Sequence, residues 1–216
     1  MERPRDWPPK NEDMYSETSR NAVYAVLKKL GIFLVPDFLS FAECAALRRW
    51  MDAVPKKHPP TRSLYRNAWH HSISPETNSK IRGRINAAMP RLREHFGKEL
   101  ELREPSAFCT YGPGGCLSAH KDSIEGVECP GFGLRTAACI IYLSTEAARA
   151  DEGFHQGGSL MLYDLIPGHE EQLYGLALPA QAGLLVSFSC GLNHEVRPVV
   201  SGVRYSIMSF LSSGKV

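Results

Sequence analysis

Two short stretches of the chain carry side chains that could hold one metal ion between them. The first is the sequence His-Lys-Asp at positions 120–122, and the second is His194, which begins a later apolar run. Residues two apart in an extended strand point to the same face, so His120 and Asp122 would both face the ion. Two imidazoles and one carboxylate, with the remaining positions open, form the ligand set of non-haem Fe(II) centres.

A basic residue follows the second histidine in the chain. Arg204 stands in the stretch Val-Arg-Tyr-Ser-Ile at 203–207, which has β character. Its planar guanidinium is suited to bind a carboxylate through two hydrogen bonds. Ser206 would point to the same strand face and add a hydroxyl donor. Together with a metal, these residues predict a 2-oxo acid that chelates iron and whose far carboxylate binds Arg204.

Both groups of residues also have simpler interpretations. His120 and Asp122 could be a core imidazole oriented by a carboxylate, and Arg204 could be a structural ion-pair partner. Zinc accepts His and Asp ligands too, so a zinc hydrolase stays open. That chemistry, however, gives no role to the arginine.

The composition bounds the class of protein. A length of 216 residues is typical of one domain, and a net charge of +2 gives no sign of a polyanion, so we predict no nucleic-acid partner. No run is long and apolar enough for a membrane span, and residues 1–10 are polar and proline-rich, unlike a signal peptide. We therefore predict a cytoplasmic protein with no membrane partner and a flexible tail over 1–15. The six cysteines show no C-x-x-C pair and are expected to be reduced.

The elements that must position these residues change character along the chain. Apolar periodicity predicts a helix over 16–30, a short strand over 32–35, and a second helix that opens with a capping box at 40–43. A third helix begins at Ser74-Pro75, and we expect Pro90 to kink it. The paired residues His70 and His71 are expected in a loop without a ligand role.

The second half of the chain predicts short strands separated by Gly and Pro. The eight candidates are 106–111, 117–122, 134–144, 159–164, 172–178, 183–189, 194–200 and 204–211, with longer loops over 123–133 and 145–157. Eight short strands after a helical half predict an α+β, mainly β fold: a cupin-like jelly roll with flanking N-terminal helices. We expect a single domain over 16–216, with a helical support region over 16–103 and the β core over 104–216.

An ordered set of motifs carries a resemblance to a known family. From about Ile32 to Leu211 the chain resembles the Fe(II)/2-oxoglutarate-dependent dioxygenases, and within them the prolyl 4-hydroxylase-like branch. The matching residues are Tyr65-Arg66-x-Ala68-Trp69, Arg84-Ile85-Asn86, Tyr111-Gly112-x-Gly114-Gly115, His120-x-Asp122, Arg135, Ile141-Tyr142-Leu143, Gly157-Gly158-x-Leu160, Pro179-x-x-Ala182-Gly183, Phe188, His194-Glu195-Val196-x-Pro198-Val199 and Gly202-x-Arg204-Tyr205-Ser206.

The resemblance implies a double-stranded β-helix that holds iron at its open mouth. It implies His120, Asp122 and His194 as iron ligands, and Arg204 with Ser206 on the 5-carboxylate of 2-oxoglutarate. Tyr111 and Tyr142 match positions whose hydroxyls often reach the co-substrate, although both could be plain core aromatics. The implied cofactors are Fe(II), 2-oxoglutarate and O2, with ascorbate as a stimulant of turnover.

Three further residues are candidates for contacting a substrate. They are Arg135, Trp69 and His155, and each has a structural alternative. Arg135 could be a solvent-exposed strand end, Trp69 could pack in the core, and His155 could lie solvated in a glycine-bearing loop.

The resulting interpretation is a dioxygenase that hydroxylates an aliphatic C–H bond of an amino acid, free or peptidyl and prolyl-like. 2-Oxoglutarate would be decarboxylated to succinate and CO2. The partner is a small molecule or a peptide. The alternatives are an oxygenase that tailors a small natural product, and a non-catalytic module that binds metal or 2-oxoglutarate.

Overall fold

A computed structural model describes residues 17–54, 67–123, 134–166, 168, 175–178 and 180–213. The predicted tail, nearly all of the loop over 123–133 and the motif residues Tyr65, Arg66 and Pro179 lie outside these ranges.

Three helices precede most of the strands. They are α1 (Glu17–Lys29), α2 (Phe41–Ala53) and α3 (Pro75–Phe96). The predicted capping box is present at α2, where the Ser40 hydroxyl accepts from the Glu43 amide at 3.2 Å and the Glu43 carboxylate accepts from the Ser40 amide at 2.8 Å. The third helix has its N-cap at Ser74 and continues through Pro90 as one helix. No described helix combines the length and hydropathy that a membrane crossing requires.

The strands form two main sheets and a small one. In chain order they are β1 (Phe33–Val35), β2 (Trp69–His71), β3 (Ala107–Tyr111), β4 (Leu117–His120), β5 (Leu134–Tyr142), β6 (Thr145–Glu146), β7 (Phe154–Gly157), β8 (Leu160–Leu162), β9 (Leu176–Leu178), β10 (Leu185–Ser189), β11 (His194–Val196), β12 (Val199–Ser201) and β13 (Arg204–Ser213). The major sheet has the order β1-β10-β5-β13-β3-β2, the minor sheet β4-β11-β8-β9, and the small sheet β12-β7-β6. Two facing antiparallel sheets confirm the predicted jelly roll, a double-stranded β-helix.

The major sheet has apolar side chains on both faces because α2 and α3 cover one face and the minor sheet covers the other. On the helix side, Phe108 and Ile207 belong to the same buried cluster as Met51 of α2 and Leu92 of α3. On the inner side, residues of β5, β10 and β13 share a buried cluster with residues of β8 and β9. Alternation along β13 therefore turns Arg204 and Ser206 inward, on the opposite face from Ile207.

The structure differs from the prediction where strands are short. Residues 69–71, expected in a loop, form the edge strand β2, and the predicted loop over 145–157 contains β6 and β7. The predicted strand over 194–200 is divided into β11 and β12. Segments of two to four residues are too short to show an alternating pattern, so their pairing depends on partners that are distant in sequence.

Candidate functional site

Three predicted metal ligands meet at one end of the minor sheet. His120 ends β4 and His194 begins β11, and these two residues are direct partners in the ladder between the strands. Asp122 follows β4 and lies between the imidazoles, with 3.4 Å from Oδ1 to His120 Nε2 and 3.3 Å from Oδ2 to His194 Nε2. One ligand atom from each residue fits within 4.8 Å of the others, as a shared metal ion requires.

Backbone contacts orient all three side chains. The Nδ1 atom of His120 lies 2.8 Å from the Ser118 carbonyl oxygen, and Nδ1 of His194 lies 3.0 Å from the Leu192 carbonyl oxygen. A carbonyl can only accept, so each Nδ1 carries a hydrogen and each Nε2 faces Asp122, where it donates a hydrogen bond when protonated and can bind a metal when deprotonated. The Asp122 amide donates to the Cys190 carbonyl at 3.0 Å, which fixes the chain just after β4.

The Asp122 carboxylate is held in its charged form. Its side chain is only 8% exposed. Burial alone would raise the pKa of the carboxyl group, but the two imidazoles beside it outweigh that effect and hold the pKa well below its usual range. The cluster thus offers one anionic oxygen ligand and two neutral nitrogen ligands, a donor set that suits Fe(II) as well as Zn(II).

A buried cation lies on the inner face of the major sheet. The Arg204 side chain is almost completely buried, and its Nη1 donates to the Ser206 hydroxyl at 2.9 Å. Its guanidinium carbon lies 5.0 Å from the ring centre of Tyr111 and 5.3 Å from that of Tyr142. The structure therefore brings together the four residues predicted to bind the co-substrate.

Several polar atoms in this pocket have no partner among the described residues. They are Nε and Nη2 of Arg204 and the hydroxyl oxygen of Tyr142. No carboxylate of the described chain pairs with Arg204. An unpaired charge and unsatisfied donors are costly when buried, so their convergence fits a pocket that receives an anion. A 2-oxo acid with a second carboxylate meets both requirements of the site, metal chelation and a distant negative charge.

His155 lies next to this cation, which corrects the interpretation of a solvated loop residue. It belongs to β7, has no exposed surface, and neither of its ring nitrogens has a hydrogen-bond partner among the residues that the structure describes. Gly158 separates the two side chains: a Cβ placed there would lie 3.1 Å from Arg204 Cδ and 3.5 Å from His155 Cδ2. Burial, and secondarily the positive charge of Arg204, lowers the pKa of His155 to about 4.

The other two substrate candidates are positioned differently. Arg135 donates from Nε to the Glu104 carboxylate at 2.5 Å and from Nη2 to its second oxygen, and its guanidinium stacks on Phe210 at 3.9 Å. Trp69 pairs with Thr110 in the ladder between β2 and β3, so it lies on the helix-side face of the major sheet. The structure thus engages Arg135 in an ion pair and places Trp69 on the opposite face from Arg204.

The buried neutral imidazole of His155 predicts loss of stability in acid. The unfolded chain binds a proton here as the pH falls below about 6.5, whereas the folded chain does not until about 4. The free energy of unfolding should therefore fall across this window as the pH decreases, by at most roughly 3 kcal/mol from this residue. Urea denaturation at pH values across the window would measure it, with His155→Gln as the comparison. Identical pH slopes for the two proteins would contradict the expectation.

Comparisons with known proteins agree with this geometry. Residues 106–212 match the family model of the 2OG-Fe(II) oxygenase superfamily. That range contains the three candidate ligands and all four residues of the anion pocket. A PKHD-type hydroxylase of Stenotrophomonas maltophilia (strain R551-3) is 28% identical over 186 residues, which covers 83% of this chain and 77% of the relative.

Solved structures share the fold at low sequence identity. A Pseudomonas putida prolyl-4-hydroxylase superposes with a TM-score of 0.66 at 23% identity, covering 90% of this chain and 98% of that one. A Trichoplax adhaerens prolyl hydroxylase, solved with a peptide fragment of the hypoxia inducible factor oxygen degradation domain, has a TM-score of 0.62 at 18% identity and covers 96% of each chain.

Proposed function

Because this chain belongs to the 2OG-Fe(II) oxygenase superfamily, whose dioxygenases use Fe(II), 2-oxoglutarate and O2, we propose that it hydroxylates an aliphatic C–H bond of a prolyl-like amino acid, free or within a peptide. The relatives named as hydroxylases and the prolyl-4-hydroxylase fold support this substrate class. The observation that carries the proposal is the His-Asp-His cluster combined with a buried guanidinium that lacks a carboxylate partner.

Each residue has a distinct part in the proposal. His120, Asp122 and His194 hold Fe(II), and the hydrogen bonds of the two imidazoles to backbone carbonyls keep their ligand atoms converging on Asp122 before the metal binds. Arg204 and Ser206 bind the far carboxylate of 2-oxoglutarate. When bound there, Fe(II) and 2-oxoglutarate supply O2-dependent oxidation of an unactivated C–H bond, with release of succinate and CO2.

The protein contributes orientation and exclusion of water. The aromatic rings of Tyr111 and Tyr142 lie beside the guanidinium of Arg204, and both side chains are buried. An anion between these rings and Arg204 would be bound in a region of low dielectric, where a charge-assisted hydrogen bond is strong. A zinc hydrolase would leave this second pocket without a role.

The first test is a visible-absorption titration of the metal-free protein with Fe(II) and 2-oxoglutarate in the absence of O2. We expect the charge-transfer band of an iron-bound 2-oxo acid to appear with saturation at one equivalent. Absence of the band in folded protein would contradict the dioxygenase assignment of the site.

The second step of the test addresses the substrate. In air, free L-proline and a short blocked peptide containing proline are compared for stimulation of succinate formation and for a product that gains one oxygen atom. We expect stimulation by at least one of them. If neither stimulates turnover in a protein that shows the band, the prolyl-like assignment is wrong, and small natural products become the substrates to screen.

A further inference from the structure

The pocket around Arg204 contains one more polar side chain than the carboxylate-binding set assigned above. His155 enters from β7, in the small sheet, whereas Arg204 and Ser206 come from β13 in the major sheet. Gly158 lies between them: an added Cβ would lie 3.1 Å from Arg204 Cδ, 3.5 Å from His155 Cδ2 and 2.9 Å from Val199 Cγ2. The φ of 76° at this position also favours glycine, so no side chain lies between the imidazole and the cation.

The hydrogen-bonding capacity of the pocket remains incomplete without a ligand. A carboxylate offers two oxygens and about four acceptor sites. The Ser206 hydroxyl accepts from Arg204 Nη1, so its own hydrogen stays free to donate. Within the described ranges, the atoms of this pocket that have no hydrogen-bond partner are Nε and Nη2 of Arg204, the Tyr142 hydroxyl oxygen and both ring nitrogens of His155. A neutral imidazole carries a hydrogen on only one of its two nitrogens. All the other atoms in this set can donate a hydrogen bond to a buried carboxylate.

A purely structural role explains the position of His155 poorly. The side chain has no surface in contact with solvent, and the part of the chain that the structure describes gives its nitrogens no partner. An apolar side chain of similar volume would avoid this desolvation cost. The buried imidazole of His71 differs, because its Nε2 lies 3.0 Å from Thr110 Oγ1.

We propose that His155 is a co-substrate-binding residue whose ring N–H donates to the far carboxylate of 2-oxoglutarate, beside Arg204. This inference rests on the proposed function. It changes the role predicted for His155 from contacting the substrate to contacting the co-substrate. A neutral imidazole donates one hydrogen bond without adding a second positive charge next to the guanidinium. His155 thus contributes to selecting a dicarboxylic 2-oxo acid over a monocarboxylic one.

The test measures ligand binding in the absence of turnover. The wild type, His155→Leu and His155→Gln are loaded with Mn(II), and the dissociation constant of 2-oxoglutarate is measured by calorimetry. Loss of a hydrogen bond to a charged acceptor should weaken binding roughly tenfold to a hundredfold in His155→Leu. His155→Gln retains an amide donor and should lose less than about fivefold. The affinity for Mn(II) without 2-oxoglutarate should stay within about twofold in all three proteins, since within the described chain the His155 ring has no hydrogen bond to a candidate ligand.

A matched control is His71→Leu, which removes a buried histidine on the helix-side face of the major sheet. This variant should bind 2-oxoglutarate like the wild type even if it unfolds at a lower temperature. The inference is overturned if His155→Leu binds within about threefold of the wild type, or if its Mn(II) affinity falls in parallel, which would indicate a structural role. It is also overturned if His155→Gln binds as weakly as His155→Leu. A wild type that binds Mn(II) but not 2-oxoglutarate would instead refute the proposed function.

Discussion

Asp122→Ala should abolish iron binding and turnover. Its carboxylate lies between the two imidazoles and is the only anionic group in the candidate ligand set. The variant keeps two neutral nitrogen ligands, which bind Fe(II) weakly by themselves. Since changes outside a metal's own ligands already cost 10- to 100-fold in affinity, we expect the loss to exceed about a hundredfold. Iron content after dialysis and the rate of succinate formation measure the effect.

A matched control removes a different, partly buried aspartate close to the same strands. Asp164→Asn replaces a carboxylate, whose oxygen lies 3.6 Å from Lys121 Nζ, by a neutral amide. Asparagine tolerates the left-handed φ of 57° at this position. This variant should retain its iron and most of its turnover. An Asp122→Ala protein that binds iron and turns over at wild-type levels would show that the cluster is not the metal centre.

Arg204→Met should weaken co-substrate binding without lowering the stability of the protein. The buried guanidinium has no carboxylate partner in the described chain, so it carries a desolvation cost in the free protein. Methionine removes this cost, and we expect the metal-free protein to become more stable or to stay unchanged. Because the variant leaves a buried carboxylate of 2-oxoglutarate without its cation, binding should weaken by roughly a hundredfold or more. Calorimetric titration and urea denaturation measure the two effects.

Arg48→Met provides the comparison for Arg204→Met. Arg48 is also partly buried, but its Nη1 donates to the Leu143 carbonyl at 2.5 Å and supports the packing of α2 on the major sheet. Its replacement should lower the free energy of unfolding and leave 2-oxoglutarate binding intact. An Arg204→Met protein that behaves like Arg48→Met, less stable but normal in binding, would mean that Arg204 is structural.

The parts of the site that could be predicted from the sequence are local or chemically distinctive. His120 and Asp122 are two residues apart, and Arg204 and Ser206 share one strand face, so spacing alone related them. The meeting of His120 with His194 depends on the β4–β11 register, which spacing cannot give. It was predicted instead from the apolar run that His194 begins and from the resemblance that the ordered motifs carry.

The remaining contacts depend on long-range packing. His155 was expected in a loop because β7 is four residues long and ends at Gly157, whose φ is 72°. The face of Trp69 depends on which residue of β3 it pairs with, and the partner of Arg135 is Glu104, outside any strand. Pro90 lies inside α3, which runs from Pro75 to Phe96, and the kink expected there stays a prediction.

The position of β13 in the major sheet has a consequence for how the protein is made. This strand lies between β5 and β3, yet it follows both in the chain, with β6 to β12 synthesised in between. During synthesis, β3 and β5 therefore each keep one edge unpaired, because the strand that pairs with both, β13, is made last. Such delayed, non-local pairing is slow and leaves unpaired edges open to misassociation, so a nascent chain benefits from chaperones. Arg204 and Ser206 arrive with this strand, so the anion pocket is completed in the same step that closes the sheet.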